Sequence, residues 1–156
     1  MVEDILYLSH CERNSKREIL NVEEIVEACI SQYGIQMEQR HIQLINQLES
    51  YKLEGNPEMI YKIIDNLMSN AVKYARDESR IMIKLREGIL TIHNENNGIS
   101  EELLPHIFEP FVTSNQKEKG HGLGLYIVGY YCKLCGYQIN IHNTGSGVEA
   151  TITFAI

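Results

Sequence analysis

An amphipathic run opening at Asn56-Pro57 constrains this chain more than any other stretch of it. Asparagine followed by proline is a helix start, because the amide can cap the first free N–H groups while proline's fixed φ suits the first helical position. Ile60, Ile63, Ile64, Leu67 and Ala71 then recur at helical spacing and make one apolar stripe, which predicts a helix running to about Tyr74. The opposite face carries Asn66, Asn70 and Lys73 at i, i+4 and i+7, so their side chains project along one line. An amide oxygen is a competent Mg²⁺ ligand, and an ammonium one turn away can meet a phosphate as a point charge. Taken alone, such a row is more often a solvated helix face.

The remaining periodicities place this helix among strands. Asn21 and Glu24 have capping-box spacing, and Val22, Ile25, Val26, Cys29 and Ile30 keep helical period until Tyr33-Gly34, predicting a helix over 22–33. His41 to Leu48 is β-rich, and Tyr51 to Leu53 is a shorter candidate strand. Ile81, Ile83 and Leu85 alternate with Met82, Lys84 and Arg86, and Glu87-Gly88 then separates them from an extended run over Ile89 to His93, which predicts a β-hairpin. Asn94 to Gly98 reads Asn-Glu-Asn-Asn-Gly, a composition suited to neither helix nor strand. Ser100 with Glu101 and Glu102 should open a short helix that Pro105 limits. A polar segment, Thr113 to Gly120, precedes a mostly apolar helix ended by Gly136, and a closing hairpin follows, with Tyr137, Ile139 and Ile141 on one strand and Val148, Ala150, Ile152 and Phe154 on the other. At the start, Val2, Ile5, Leu6 and Ser9 share a helical face, and the polar run Glu12 to Arg17 reads as helix end and linker. Paired strands with helices standing apart argue an α+β, two-layer sandwich, a mixed but mostly antiparallel sheet packed on helices, rather than alternating βαβ units.

Composition narrows the chemistry. The chain has 156 residues, 44% of them hydrophobic, and a formal charge of 14 − 21 = −7. A single domain of this length buries roughly 70% of the surface its unfolded chain exposes, so its four cysteines need not be a disulfide framework. The acidic balance argues against a nucleic-acid partner, which would demand many Lys and Arg, so any phosphate site must be local. No run approaches the roughly 18 apolar residues of a membrane span, and Glu3, Asp4, Glu12 and Arg13 occupy the region where a signal peptide would be apolar. The chain therefore reads as soluble and intracellular with no membrane contact of its own, and it can equally be a piece of a longer protein. Cys132-Lys-Leu-Cys135 is a lone CxxC within a helix. Zinc would need two further ligands, so these and Cys11 and Cys29 read as reduced thiols. Tyr126, Tyr130 and Tyr131 read as core or helix-packing residues.

The second candidate site element is Gly120-His-Gly-Leu-Gly-Leu125, which opens an apolar helix after a lysine-bearing segment. Glycines let backbone approach phosphate oxygens, and a helix N-terminus offers unpaired N–H groups, although this turn has neither Walker A nor Rossmann spacing. His121 within it could touch a phosphate when protonated, against the plainer reading of an exposed residue.

Taken in order, Asn66-Leu-Met-Ser-Asn70-Ala-Val-Lys73-Tyr74, Asn94-Glu-Asn-Asn-Gly98-Ile99, Phe108-Glu-Pro-Phe111 and Gly120-His-Gly-Leu-Gly-Leu125 resemble the motifs of the catalytic and ATP-binding domain of sensor histidine kinases. The resemblance runs from about residue 18 to the end, and 1–17 looks like the tail of a dimerisation helix with its linker. It implies the Bergerat α/β sandwich shared with gyrase, Hsp90 and MutL ATPases, with ATP and Mg²⁺ as ligands. Asn70 would be the Mg²⁺ ligand, Asn66 its neighbour and Lys73 a phosphate contact, these three forming the catalytic group. Tyr74 would lie near adenine or ribose, with Asn94, Asn96, Gly98, Ile99 and Val148 at the adenine end. Phe108 and Phe111 would anchor the ATP lid at Thr113 to Lys119, and Gly120, His121, Gly122, Leu123, Gly124 and Leu125 would form its phosphate-binding hinge. The partners implied are a dimerisation and phosphoacceptor domain of the same parent and a response regulator, with the parent at the cytoplasmic membrane.

The chain departs from that family at the adenine end. The family's usual Asp-x-Gly-x-Gly becomes Asn94-Glu-Asn96-Asn-Gly98 here, and Val148 stands where a hydroxyl residue is frequent. An amide at Asn94 still has an acceptor for the adenine amino group and a donor for N1. Asn96 would be tolerated in a left-handed conformation, whereas a requirement for close backbone approach would leave its side chain filling the pocket. Two other functions remain in view. A hydrolytic ATPase needs a general base where this chain has Asn66, and an amide cannot take water's proton. A degenerate, non-catalytic docking module would follow if adenine recognition has failed. No histidine of the six is followed by the acidic residue and downstream proline that mark the family's phosphoacceptor.

Overall fold

In the computed structural model, residues 16–110 and 123–154 are described. Strand β1 (Glu18–Asn21) leads into helix α1 (Val22–Gln39), followed by β2 (Gln43–Leu48), β3 (Lys52–Gly55) and helix α2 (Pro57–Tyr74). Strands β4 (Arg80–Arg86) and β5 (Ile89–Glu95), a 3₁₀ turn (Leu104–His106), helix α3 (Gly124–Cys135) and strands β6 (Gln138–Asn143) and β7 (Gly147–Thr153) complete it. Five strands form one sheet in the order β2-β4-β5-β7-β6, and β1 pairs with β3 in a separate two-stranded sheet.

The sheet is mixed, as expected: β2 runs parallel to β4 and every other pairing is antiparallel. Strict alternation in β4 buries Ile81, Ile83 and Leu85 and exposes the residues between them, so one face of the sheet is covered by helices and the other meets solvent. The β4–β5 connection is the two residues Glu87-Gly88, both at positive φ (52° and 77°), the turn geometry whose twist matches paired antiparallel strands. Beneath the sheet, the stripe of α2 (Ile60, Ile63, Ile64, Leu67, Met68) joins Ile127 and Val128 of α3 and Val22, Val26 and Cys29 of α1 in one core. Tyr131 is buried within it, while Tyr126 and Tyr130 pack at its margin. No helix among the described residues is long and apolar enough to cross a membrane.

Four local expectations are corrected. Helix α1 does not stop at Gly34 but continues to Gln39, because buried Met37 gives the extra turn a core contact worth more than glycine's weak helix propensity. Strand β1 was not expected; four residues with Ile19 76% exposed carry little apolar alternation, and it forms by pairing with β3. Asn94 and Glu95 belong to β5, held by partners Ile81 and Val148 on both sides of Asn94 despite its poor strand propensity. No α-helix opens at Ser100; its hydroxyl accepts a bond from the N–H of Leu103 (3.2 Å) in a turn, and Pro105 sits inside the 3₁₀ turn rather than ending a helix. The expected helix over Val2–Ser9, Phe111, the Thr113–Lys119 lid, and Gly120, His121 and Gly122 lie outside the described residues.

Candidate functional site

Helix α2 begins as its sequence requires. The Asn56 side chain accepts from the N–H groups of Glu58 (3.0 Å) and Met59 (3.2 Å), with Pro57 in the first turn. Burying the apolar stripe fixes the helix's rotation, which leaves Asn66, Asn70, Lys73 and Tyr74 half-buried along one edge. Asn66 donates its Nδ2 to the Lys62 carbonyl (2.8 Å), so its Oδ1 points elsewhere, toward the first residue of α3. A Cβ on Gly124 would come within 3.2 Å of that oxygen, which explains a glycine at the start of α3. No described residue hydrogen-bonds the Asn70 amide. The Lys73 ammonium lies 5.1 Å from the centre of the Tyr74 ring.

The last turn of α2 is held from two sides. The Arg40 guanidinium donates to the carbonyls of Val72 and Ala75, and its Nε pairs with Asp77 at 2.7 Å. A cation here meets the negative end of the helix dipole and satisfies carbonyls the helix leaves open. From the sheet side, Asn96 donates its Nδ2 to the Tyr74 carbonyl (3.2 Å), and the N–H of Arg76 donates to the Glu95 carbonyl (3.0 Å).

Asn96 meets neither condition set for it by the sequence. It is not at positive φ, and its side chain turns toward α2 while Oδ1 accepts from the N–H of Gly98 (2.7 Å). It therefore ties the Asn94–Gly98 segment to the helix bearing the polar row. Gly98 does take positive φ (86°), and a Cβ there would crowd the Asn143 side chain at 3.0 Å. Asn94 is 6% exposed and lies in phase with Leu90 and Ile92 on the helix-facing side of β5, opposite Val148 on β7.

Two residues that sequence reasoning passed over complete this end. Asn143 grips the backbone of Ile99 with both ends of its amide, accepting from the N–H (2.7 Å) and donating to the carbonyl (2.7 Å). Gly147 packs so closely on Asn94 that a Cβ there would collide with the Asn94 carbonyl oxygen. The contact between Asn143 and Ile99 spans 44 residues, which no local pattern reveals, and the approach of Gly147 to Asn94 likewise joins distant parts of the chain.

At the other end of the site, Phe108 rests against Gly129 of α3, where a Cβ would approach the ring to 3.3 Å. Leu123 is buried and Leu125 packs at the core margin, so both support the start of α3 through packing. The structure thus brings Asn66 against Gly124 at the start of α3 and Phe108 against Gly129 in its middle, and brings Tyr74, Asn96, Gly98, Ile99, Asn94 and Val148 together at the end of β5. Outside the site, Cys29, Cys132 and Cys135 are free thiols. Burial pushes Cys29 and Cys132 up to about 12.

Three comparisons bear on this arrangement. The family model for histidine kinase-, DNA gyrase B-, and HSP90-like ATPases matches residues 55–156. Among curated proteins, the heme sensor protein HssS of Staphylococcus haemolyticus is 32% identical over 127 residues, covering 78% of this chain and 27% of that protein. Sensor histidine kinase CssS of Bacillus subtilis is 29% identical over 158 aligned positions, covering 97% of this chain and 34% of that protein. The chain thus spans about a third or less of the length of these relatives. Among solved structures, the mycobacterial sensor histidine kinase MprB superposes with a TM-score of 0.76 at 19% identity, over 88% of this chain and 95% of that one. Full-length ShkA, solved in complex with AMPPNP, gives 0.79 at 18% identity, over 97% of this chain and 34% of that one. At these identities the structural likeness speaks to the fold.

Proposed function

Because the chain belongs to the family of histidine kinase-, DNA gyrase B- and HSP90-like ATPases, we propose that it is the catalytic domain of a sensor histidine kinase. In this reading it binds ATP with Mg²⁺ and supplies the γ-phosphoryl group to a histidine on a dimerisation helix. Residues 18–156 form the domain, 1–17 are the tail of that helix, and the parent protein sits at the cytoplasmic membrane and passes phosphoryl on to a response regulator. The observation that carries the reading is the half-buried row of α2. Asn66 turns its oxygen toward a glycine that opens α3, and Asn70 keeps an amide with no hydrogen-bond partner among the described residues.

The donor set suits a hard cation and an anion. Asn70 supplies an uncharged oxygen for Mg²⁺, and Lys73 supplies positive charge one turn on. Mg²⁺, when bound, neutralises phosphate charge during transfer. Asn94 takes the base edge, Asn96 and Asn143 hold the segment that frames it, and Gly124 leaves room beside Asn66. As the bond between the γ-phosphorus and the bridging oxygen breaks, one to the acceptor histidine nitrogen forms and ADP departs. The chain's contribution is placement and charge. Asn66 favours transfer over hydrolysis, since its amide cannot accept a proton from water.

Titration with a fluorescent ATP analogue, with and without Mg²⁺, tests the reading. Saturable binding that tightens with Mg²⁺ is expected, and Asn70→Ala should weaken the Mg²⁺-dependent binding by about tenfold or more, in line with the loss of a charge-assisted contact of roughly 1.5 to 3 kcal/mol. Absence of saturable binding at millimolar nucleotide would leave a docking module in its place.

A further inference from the structure

We propose that the base end of this site accepts 6-oxopurine nucleotides, such as ITP, about as readily as 6-aminopurine ones. The inference rests on the nucleotide-binding reading above and deepens it to the identity of the base.

Asn94 carries it. The residue is 6% exposed on the helix-facing side of β5, its backbone is fixed between Ile81 and Val148, and no described residue hydrogen-bonds its amide. Though the residue is mostly buried, the polar atoms of its amide are not fully enclosed, so they stay reachable from outside and a ligand edge can pair with them. The neighbouring amides are already engaged. Asn96 bonds the Tyr74 carbonyl and the Gly98 N–H, and Asn143 bonds both backbone groups of Ile99.

A primary amide presents an acceptor and a donor side by side on a planar head, and a half-turn about its last bond exchanges them. Adenine offers an amino donor at C6 beside an acceptor at N1. Hypoxanthine offers the reverse, a carbonyl at C6 beside an N1–H donor. One setting of Asn94 pairs with the first edge and the turned-over setting with the second, two hydrogen bonds in each case. The two residues that flank Asn94 across the sheet, Ile81 and Val148, are apolar and give neither setting an advantage. Guanine carries a further amino group beside N1, which makes hypoxanthine the cleaner probe.

The test is competition of ATP and of ITP against the fluorescent ATP analogue on the whole chain with Mg²⁺ present. Apparent Kd values for the two within about threefold are expected, and Asn94→Ala, which removes both settings of the amide, should weaken ATP and ITP alike by about tenfold or more, the scale on which a lost polar match discriminates, whereas loss of ATP binding alone would count against the proposal. Wild-type protein that binds ATP but holds ITP about tenfold more weakly would overturn the proposal and leave the nucleotide reading standing. Failure of the analogue itself to bind would remove both. If Asn94→Ala fails to fold, as circular dichroism would reveal, the wild-type ratio decides the matter alone.

Discussion

Asn143 illustrates how much of the site a single side chain can set. Its amide satisfies both the N–H and the carbonyl of Ile99, just past the glycine whose positive φ turns the chain. Asn143→Ala leaves both backbone groups to solvent at an exposed site, so a loss of about 0.5 to 1.5 kcal/mol in urea denaturation is expected, with weaker nucleotide binding alongside it. Unchanged stability and affinity would show that solvent replaces both bonds at no cost. The polar row of α2 was legible in the sequence because helical spacing alone puts Asn66, Asn70 and Lys73 on one line. Asn143, Arg40 and Gly147 were not, because each acts on backbone far away along the chain, and no short-range period encodes such a contact.

At the scale of elements, sequence signals succeeded wherever burial and local chemistry agree. Asn56-Pro57 capped α2, Gly136 closed α3 at positive φ (78°), and Glu87-Gly88 made the tight hairpin. They failed where tertiary contact outweighs propensity. Gly34 looked like a stop, yet α1 runs through it to reach Met37, and Asn94 looked like loop although strands on both sides hold it extended. The first of these mismatches makes a prediction. A Cβ at Gly34 meets nothing within 4 Å, so Gly34→Ala removes the unfolded state's extra freedom without a clash and should stabilise the chain by about 0.5 to 1 kcal/mol. A midpoint of thermal unfolding that does not rise would mean the helix there is held loosely enough for glycine to carry no penalty.

The molecule as a whole should be sensitive to alkali. Burial pushes the thiols of Cys29 and Cys132 from an ordinary 9.0 up to about 12, and burial likewise pushes Tyr137 from 10.0 up to about 12. Tyr33 is raised too, by burial and then by its 2.7 Å bond to Asp65. Each group is neutral when protonated, and the folded state favours that form. Their contribution is therefore complete below about pH 9, where the unfolded thiols also keep their protons, and drains away as pH climbs toward the folded values near 12. The urea midpoint should hold between pH 7 and 8 and fall steadily above about pH 9, with a shallower fall in Cys132→Ala. A midpoint level up to about pH 10.5 would contradict this.

The order of strands in the sheet also bears on when the pocket can exist. Strand β7 comes latest among the described strands yet is wedged between β5 and β6; it supplies Val148 opposite Asn94 and Gly147 against the Asn94 carbonyl, and the carbonyl of Ser146 just before it accepts from the N–H of Asn96. A polypeptide still emerging from the ribosome therefore has its α2 row long before it has anything to seat a base against. On the nucleotide-binding reading proposed above, affinity would be withheld until translation has passed residue 153.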